Sequence, residues 1–267
     1  MEQIKLNDIN FHSLQKLKHQ GTKATLYRDG NVCLKILDGL YDDEKELLYK
    51  KLLDMDGIRI NNVLLPKKLI VKGEKLQGYT MDYFHNSIPL SDKFSVRYVD
   101  SKKLFDYVLK ASKTLRTIHS NNIICQDLSF ENILVNDNGN VSFCDLDGCS
   151  YDKHISPFIS ILMKRFLIDY RDEKILLSSN LDRISMLISF YYLIYAKEIQ
   201  CLTKKQYHKL SDKITTLENA KMYANMLVDR NNPIGQVPYL DELIDLNDDC
   251  IYDRYKQLSL VRRFLKR

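Results

Sequence analysis

The stretch IICQDLSFENILVNDNGNVSFCDLDG, residues 123–148, decides how the rest of the chain is read. Two short apolar runs, Ile133–Val135 and Val141–Cys144, flank the Asn-Asp-Asn-Gly sequence at 136–139. Apolar runs around such a turn predict a β-hairpin. The hairpin would set Asn132, at the mouth of one arm, beside Asp145 at the end of the other. Asp127 stands five positions before Asn132, so two oxygen ligands and a third acid are expected to converge. A hard cation such as Mg²⁺ and a phosphoryl donor require that kind of donor set.

Upstream, residues 14–37 read as three strands, Leu14–His19, Leu26–Tyr27 and Val32–Leu37, the last two joined by Arg-Asp-Gly at 28–30. Val32–Leu37 (VCLKIL) is rich in β-formers and carries one charge, Lys35. A lysine in an apolar strand needs an anionic partner or a route to water. Residues 41–55 (YDDEKELLYKKLLDM) predict a helix, with Asp42 or Asp43 suited to the N-cap and lysines toward its end. Either Glu44 or Glu46 could face Lys35. Val63–Val71 and Leu76–Tyr83 follow as extended segments joined at Lys-Gly-Glu 72–74, and Met81-Asp82-Tyr83-Phe84 closes the strand-rich half.

From Ser101 the periodicity becomes helical. Leu104, Val108, Leu109, Ala111, Leu115 and Ile118 make one apolar stripe running up to residue 123. Beyond Gly148 lie an apolar segment at 159–168, an apolar helix over 182–196, an amphipathic stretch over 204–230, and short helices within 240–246 and 253–265. The change from strands to helices near 84–90 marks a boundary between two parts.

A chain of 267 residues can bury a full core. Its net charge of +5, from 40 basic and 35 acidic residues without long runs, weakly allows an anionic ligand but suits a solvated surface better, and with no base-stacking pattern in the aromatic residues no nucleic-acid partner is expected. The longest apolar run, residues 184–196, is shorter than the roughly 20 residues of a spanning helix, so no membrane span is expected. Residues 1–10 lack the layout of a signal peptide. Six cysteines without a CxxC pair read as reduced thiols that pack as small hydrophobes, and a cytoplasmic location is expected. His119 and His154 read as ordinary surface or helix-end residues.

In this order of features the chain resembles a protein kinase over nearly its full length, with a bacterial-type Ser/Thr kinase the nearest description. Asp127-Leu-Ser-Phe-Glu-Asn132 matches the catalytic-loop spacing D-x-x-x-x-N, Asp145 stands at the D of D-F-G, and Val32-Cys-Leu-Lys35 is similar to V-A-I-K. Asp182 resembles the family's structural aspartate that holds the catalytic loop's backbone. The resemblance implies an α+β, two-lobe fold: a small β-rich N-lobe with one main helix (residues 1–84) and a larger α-helical C-lobe (residues 85–267).

It further implies ATP and Mg²⁺ as cofactors. Adenine would bond the backbone around Asp82–Phe84, packed by Leu26, Cys33 and Leu134 with Met81 at the back, and Gly21 would approach the phosphates. Lys35, held by Glu46, would orient the α- and β-phosphates, Asn132 and Asp145 would bind the metal, and Asp127 would accept the proton of the attacking hydroxyl. The expected acceptor is a hydroxyl-bearing protein. A small-molecule kinase and a non-catalytic nucleotide-binding scaffold of the same fold are the alternatives. Departures from the pattern are the single glycine Gly21, Cys125-Gln126 for His-Arg, Ser129 for lysine, Leu146-Asp147 for Phe-Gly, and no Ala-Pro-Glu between Asp145 and Asp182.

Overall fold

The computed structural model describes residues 1–17, 23–95, 101–156, 178–183, 185, 186, 189 and 239–243. It is a mixed α+β architecture that divides into two units. One comprises Met1–Ser87 with Ser142–Asp147, the other Ile88–Val141 with Gly148–Arg267.

The first unit is built on a six-stranded sheet. Its strands are β1 (Glu2–Lys5), β2 (Gln15–Lys16), β3 (Thr25–Asp29), β4 (Val32–Ile36), β5 (Lys68–Lys72) and β6 (Lys75–Asp82). Their spatial order is β1-β5-β6-β4-β3-β2, antiparallel except for the parallel β1–β5 pair. The β3–β4 and β5–β6 hairpins turn at Gly30 (φ 55°) and Gly73 (φ 62°), where left-handed backbone favours glycine. β1 was not expected from sequence. Its four residues include one apolar side chain, Ile4, so alternation gives no signal, and it pairs on one side alone, as an edge strand does.

Helix α1 (Asp42–Asp54) packs on β6 through Leu48 and Leu52, which join Leu37, Leu69, Leu76 and Tyr79 in one buried cluster. Removing each leucine from water contributes about 2 kcal/mol. The N-cap is Tyr41 rather than Asp42 or Asp43; its backbone N–H donates to Glu44 Oε2 at 2.9 Å. The helix therefore begins with the acid three residues on closing back over the first turn. At Gly78 the backbones of β6 and β4 approach so closely that a Cβ would lie 2.2 Å from the carbonyl oxygen of Lys35.

In the second unit α2 (Leu90–Ser95) follows the short strand β7 (Ser87–Pro89), and α3 (Ser101–Ser120) follows in turn. Val108, Ala111, Leu115 and Ile118 recur at spacings of three and four and are almost wholly buried, as the stripe predicted. β8 (Ile123–Ile124) pairs antiparallel with β11 (Ser150–Tyr151). Between them in sequence come β9 (Ile133–Asn136) and β10 (Val141–Phe143), joined by the expected turn, with residues 142 and 143 already part of the first unit. There Asn136 accepts from the Gly139 N–H (3.0 Å) through its carbonyl and from the Asn140 N–H (2.9 Å) through its side chain. Ser112 and Arg116 of α3 both donate to Asp241, at 2.6 and 3.0 Å, fixing the helical residues Leu240–Leu243.

Among the described residues no helix is long and apolar enough to cross a membrane. The segments 159–168, 204–230 and 253–265, and most of 184–196, lie outside the described residues.

Candidate functional site

The first unit holds a buried lysine between two aspartates. Successive strand residues alternate faces, so Cys33 and Lys35 of β4 point the same way. Their cross-strand partners share that face: Leu26 opposite Lys35 on β3, and on β6 Tyr79 opposite Lys35 and Met81 opposite Cys33. Leu26, Cys33, Lys35 and Met81, all expected site residues, thus line one face together with Tyr79, which sequence reading had passed over.

Lys35 is 7% exposed. Its Nζ donates to Asp145 Oδ1 and to both carboxylate oxygens of Asp147, each of the latter at 2.9 Å. The acids reach it because Phe143 is pinned by the preceding 62–64 segment. Its N–H donates to Asn62 O at 2.9 Å, and its carbonyl accepts from Leu64 N–H at 2.8 Å. The chain then turns sharply at Asp145 (φ 63°), a left-handed conformation that aspartate tolerates better than most residues, and continues as a 3₁₀ turn from Leu146. That bend aims residues 145 and 147 at one cation. From α1, Lys51 is also buried and donates to the backbone carbonyl of Asp147 at 2.5 Å.

Burial disfavours the Lys35 ammonium, but the Tyr79 hydroxyl, Asp147 and Asp145 outweigh it and hold its pKa well above the ordinary range. The two acids diverge. Asp145 is raised by desolvation and by the charge of Asp147, against the pull of Lys35. Asp147 is lowered: desolvation opposes, but Lys35 and the bond it makes prevail. Of the two acids on Lys35, Asp145 is the more open: 46% of its side chain stays exposed, against 13% for Asp147.

The partner expected for Lys35 is elsewhere. Glu46 is 66% exposed and accepts from Lys50 at 2.7 Å. At 100° per residue it lies well away from the buried stripe Leu48, Lys51 and Leu52. Glu44 serves the first turn of α1 and accepts from Lys23 at 2.8 Å. The legible signal was Lys51, a charge at helical spacing inside an apolar stripe, together with a second acid two residues past Asp145.

Around Asp82–Phe84 several groups are already committed. Asp82 pairs with Lys67 at 2.6 Å, the Tyr83 N–H donates to Asn31 O at 2.8 Å, and Phe84 O accepts from Ser87 Oγ at 2.7 Å. Gly21 lies outside the described residues.

Asp127, Asn132 and Leu134 belong to the second unit. Asp127 is exposed, and Leu134 is half-buried in β9. Asn132 Nδ2 donates to the Asp127 carbonyl at 3.0 Å, fixing the rotation of its side chain across the loop. Behind the loop the buried Asp182 carboxylate accepts the backbone N–H of Cys125 at 2.6 Å and of Gln126 at 2.8 Å. His119 Nε2 meets the same carboxylate at 3.0 Å, and its Nδ1 meets the Tyr239 hydroxyl at 2.9 Å. His119 lies in the last turn of α3, as a helix-end residue, but its side chain is buried, which corrects the reading of it as a surface residue. Gln126 is left-handed (φ 61°), rare for its type, and costs roughly 1–2 kcal/mol. Asp182 holds its backbone, and its side chain donates to Ser150 Oγ at 2.6 Å. Such strain persists where surroundings over-determine it, which is common at functional sites.

Cys33, Cys125, Cys144 and Cys149 form no disulfide. Burial raises Cys33 to about 11 and Cys144 to about 12, with Lys35 pulling both down against it. Each thiol is then harder to ionise folded than unfolded, where the ordinary value is 9.0. Above pH ~9 the unfolded chain loses these protons first, so stability falls as pH rises, by at most about 1.4 kcal/mol per pH unit for each group. Urea midpoints measured from pH 8 to 10.5 are expected to decline, and Cys33→Ala should flatten the slope.

No family model matches this chain, and no curated protein matches it.

Proposed function

We propose that the chain is an ATP- and Mg²⁺-dependent phosphotransferase of the protein kinase-like two-lobe type, passing the γ-phosphoryl group to a protein hydroxyl. The observation that carries this reading is the ion pair between Lys35 and Asp145. These are the residues to which the kinase pattern gives phosphate and metal binding, and they meet across 110 positions of sequence. The grip of Asp182 on the Cys125 and Gln126 amides supports it from the other unit.

In this reading Lys35 orients the α- and β-phosphates as a point charge. Asp145 and Asn132 would hold the metal, which when bound neutralises charge on the β- and γ-phosphates. Asp127, exposed at the head of its loop, aligns the acceptor hydroxyl and takes its proton as the oxygen attacks phosphorus and ADP departs. Leu26, Cys33 and Met81 form the apolar wall for adenine.

The test is transfer from γ-labelled ATP with Mg²⁺ to a generic protein acceptor. Asp145→Ala and Asp127→Ala are each expected to lower transfer at least about a hundredfold with circular dichroism unchanged. Activity unaffected in Asp145→Ala would overturn the assignment. Thermal stabilisation by ATP without wild-type turnover would make the chain a nucleotide-binding scaffold, and label appearing in small hydroxyl compounds but not protein would replace the acceptor.

A further inference from the structure

We propose that Asp147 is the positioning residue for Lys35, in place of a helix glutamate, and that Lys51 fixes Asp147 from behind. This rests on the reading of Lys35 as the phosphate-binding cation. Both Asp147 oxygens sit 2.9 Å from Lys35 Nζ, and the Asp147 side chain is 13% exposed, against 66% for Glu46. A two-oxygen grip between two largely buried side chains fixes the ammonium in a way an exposed pair does not.

The helix contributes the opposite charge from the one expected. Lys51, on the buried stripe of α1, donates to the carbonyl of Asp147 and so holds the main chain from which the carboxylate projects. Tyr79, fully buried and opposite Lys35 in the sheet, closes the remaining side, its ring centre 5.7 Å from Nζ. The clamp on Lys35 therefore comes from the same three-residue segment, 145–147, as Asp145. Setting the lysine and setting the neighbouring acid become one structural event, and α1 acts as a tether rather than as the donor of the partner.

Steady-state kinetics with varied Mg·ATP and thermal melts test this together. Asp147→Asn keeps the shape and removes the charge; it is expected to raise KM for ATP about tenfold with a smaller change in kcat. Asp147→Glu should recover part of that loss. Lys51→Met should raise KM by a few-fold and Lys51→Arg restore it, so the proposal stays testable if one Asp147 variant folds poorly. The readout independent of activity is a melting cycle of Lys35→Met, Asp147→Asn and the double variant. Coupling predicts a double-variant shift clearly smaller than the sum of the single shifts. Coupling in a protein that neither binds nor turns over ATP would remove the kinase reading while keeping the pairing. Additive melts with unchanged KM, or a larger KM effect from Glu46→Gln than from Asp147→Asn, would overturn the proposal.

Discussion

Gly78→Ala is expected to destabilise the protein by about 3–5 kcal/mol, enough to unfold the first unit under mild denaturant. The added Cβ would lie 2.2 Å from Lys35 O and 3.2 Å from both Ile36 Cα and the Lys35 carbonyl carbon. All three are backbone atoms in the next strand, so no side-chain rotation relieves the clash. Room can be made only by parting β4 from β6, across which Lys35 faces Tyr79 and Cys33 faces Met81. The variant would thus also displace Lys35 from Asp145 and Asp147. Gly73→Ala is the comparison. Gly73 has φ 62° but nothing within 4 Å of its Cβ, so strain alone remains, about 1 kcal/mol. Urea unfolding of the two variants measures the contrast, and equal midpoints would contradict it.

Asp182→Ala is expected to cost about 3–5 kcal/mol and to release the loop around Asp127. One buried carboxylate accepts from the Cys125 amide, the Gln126 amide and His119, so truncation strands several polar groups at once. It also removes the support that keeps Gln126 left-handed. Asp182→Asn retains one acceptor oxygen and should cost about half as much. Hydrogen exchange reads this locally: the amides of residues 125 and 126 should exchange faster in Asp182→Ala than in the parent. Unchanged protection there would show that other contacts hold the loop.

Much of this was legible in the residues. The last two strands of residues 14–37, the helix after them and the extended pair that follows all come from turn sequences and β-formers whose meaning is local. The misses have a common cause. β1 is too short and polar to show alternation, and its existence depends on β5, more than sixty residues away. Analogy points to Glu46, whereas the partner of Lys35 is decided by the helical phase of Lys51 and by a bend at Asp145 that no propensity announces. His119 looked ordinary because its partners, Asp182 and Tyr239, are 63 and 120 positions distant.

The parallel strand β1 has a consequence for colloidal behaviour. β5, which it covers, carries Leu69, Ile70 and Val71 in succession, all buried. Stripped of that cover, the hydrogen-bonding edge of an apolar, β-prone strand would be open to any other chain, the situation in which sheets recruit strangers and begin to aggregate. Glu2 and Lys5, with Lys68 bonded to Glu2 at 2.9 Å, present charge where that edge would otherwise be bare. Four unassuming residues at the rim of the sheet thus serve as its gatekeeper in solution.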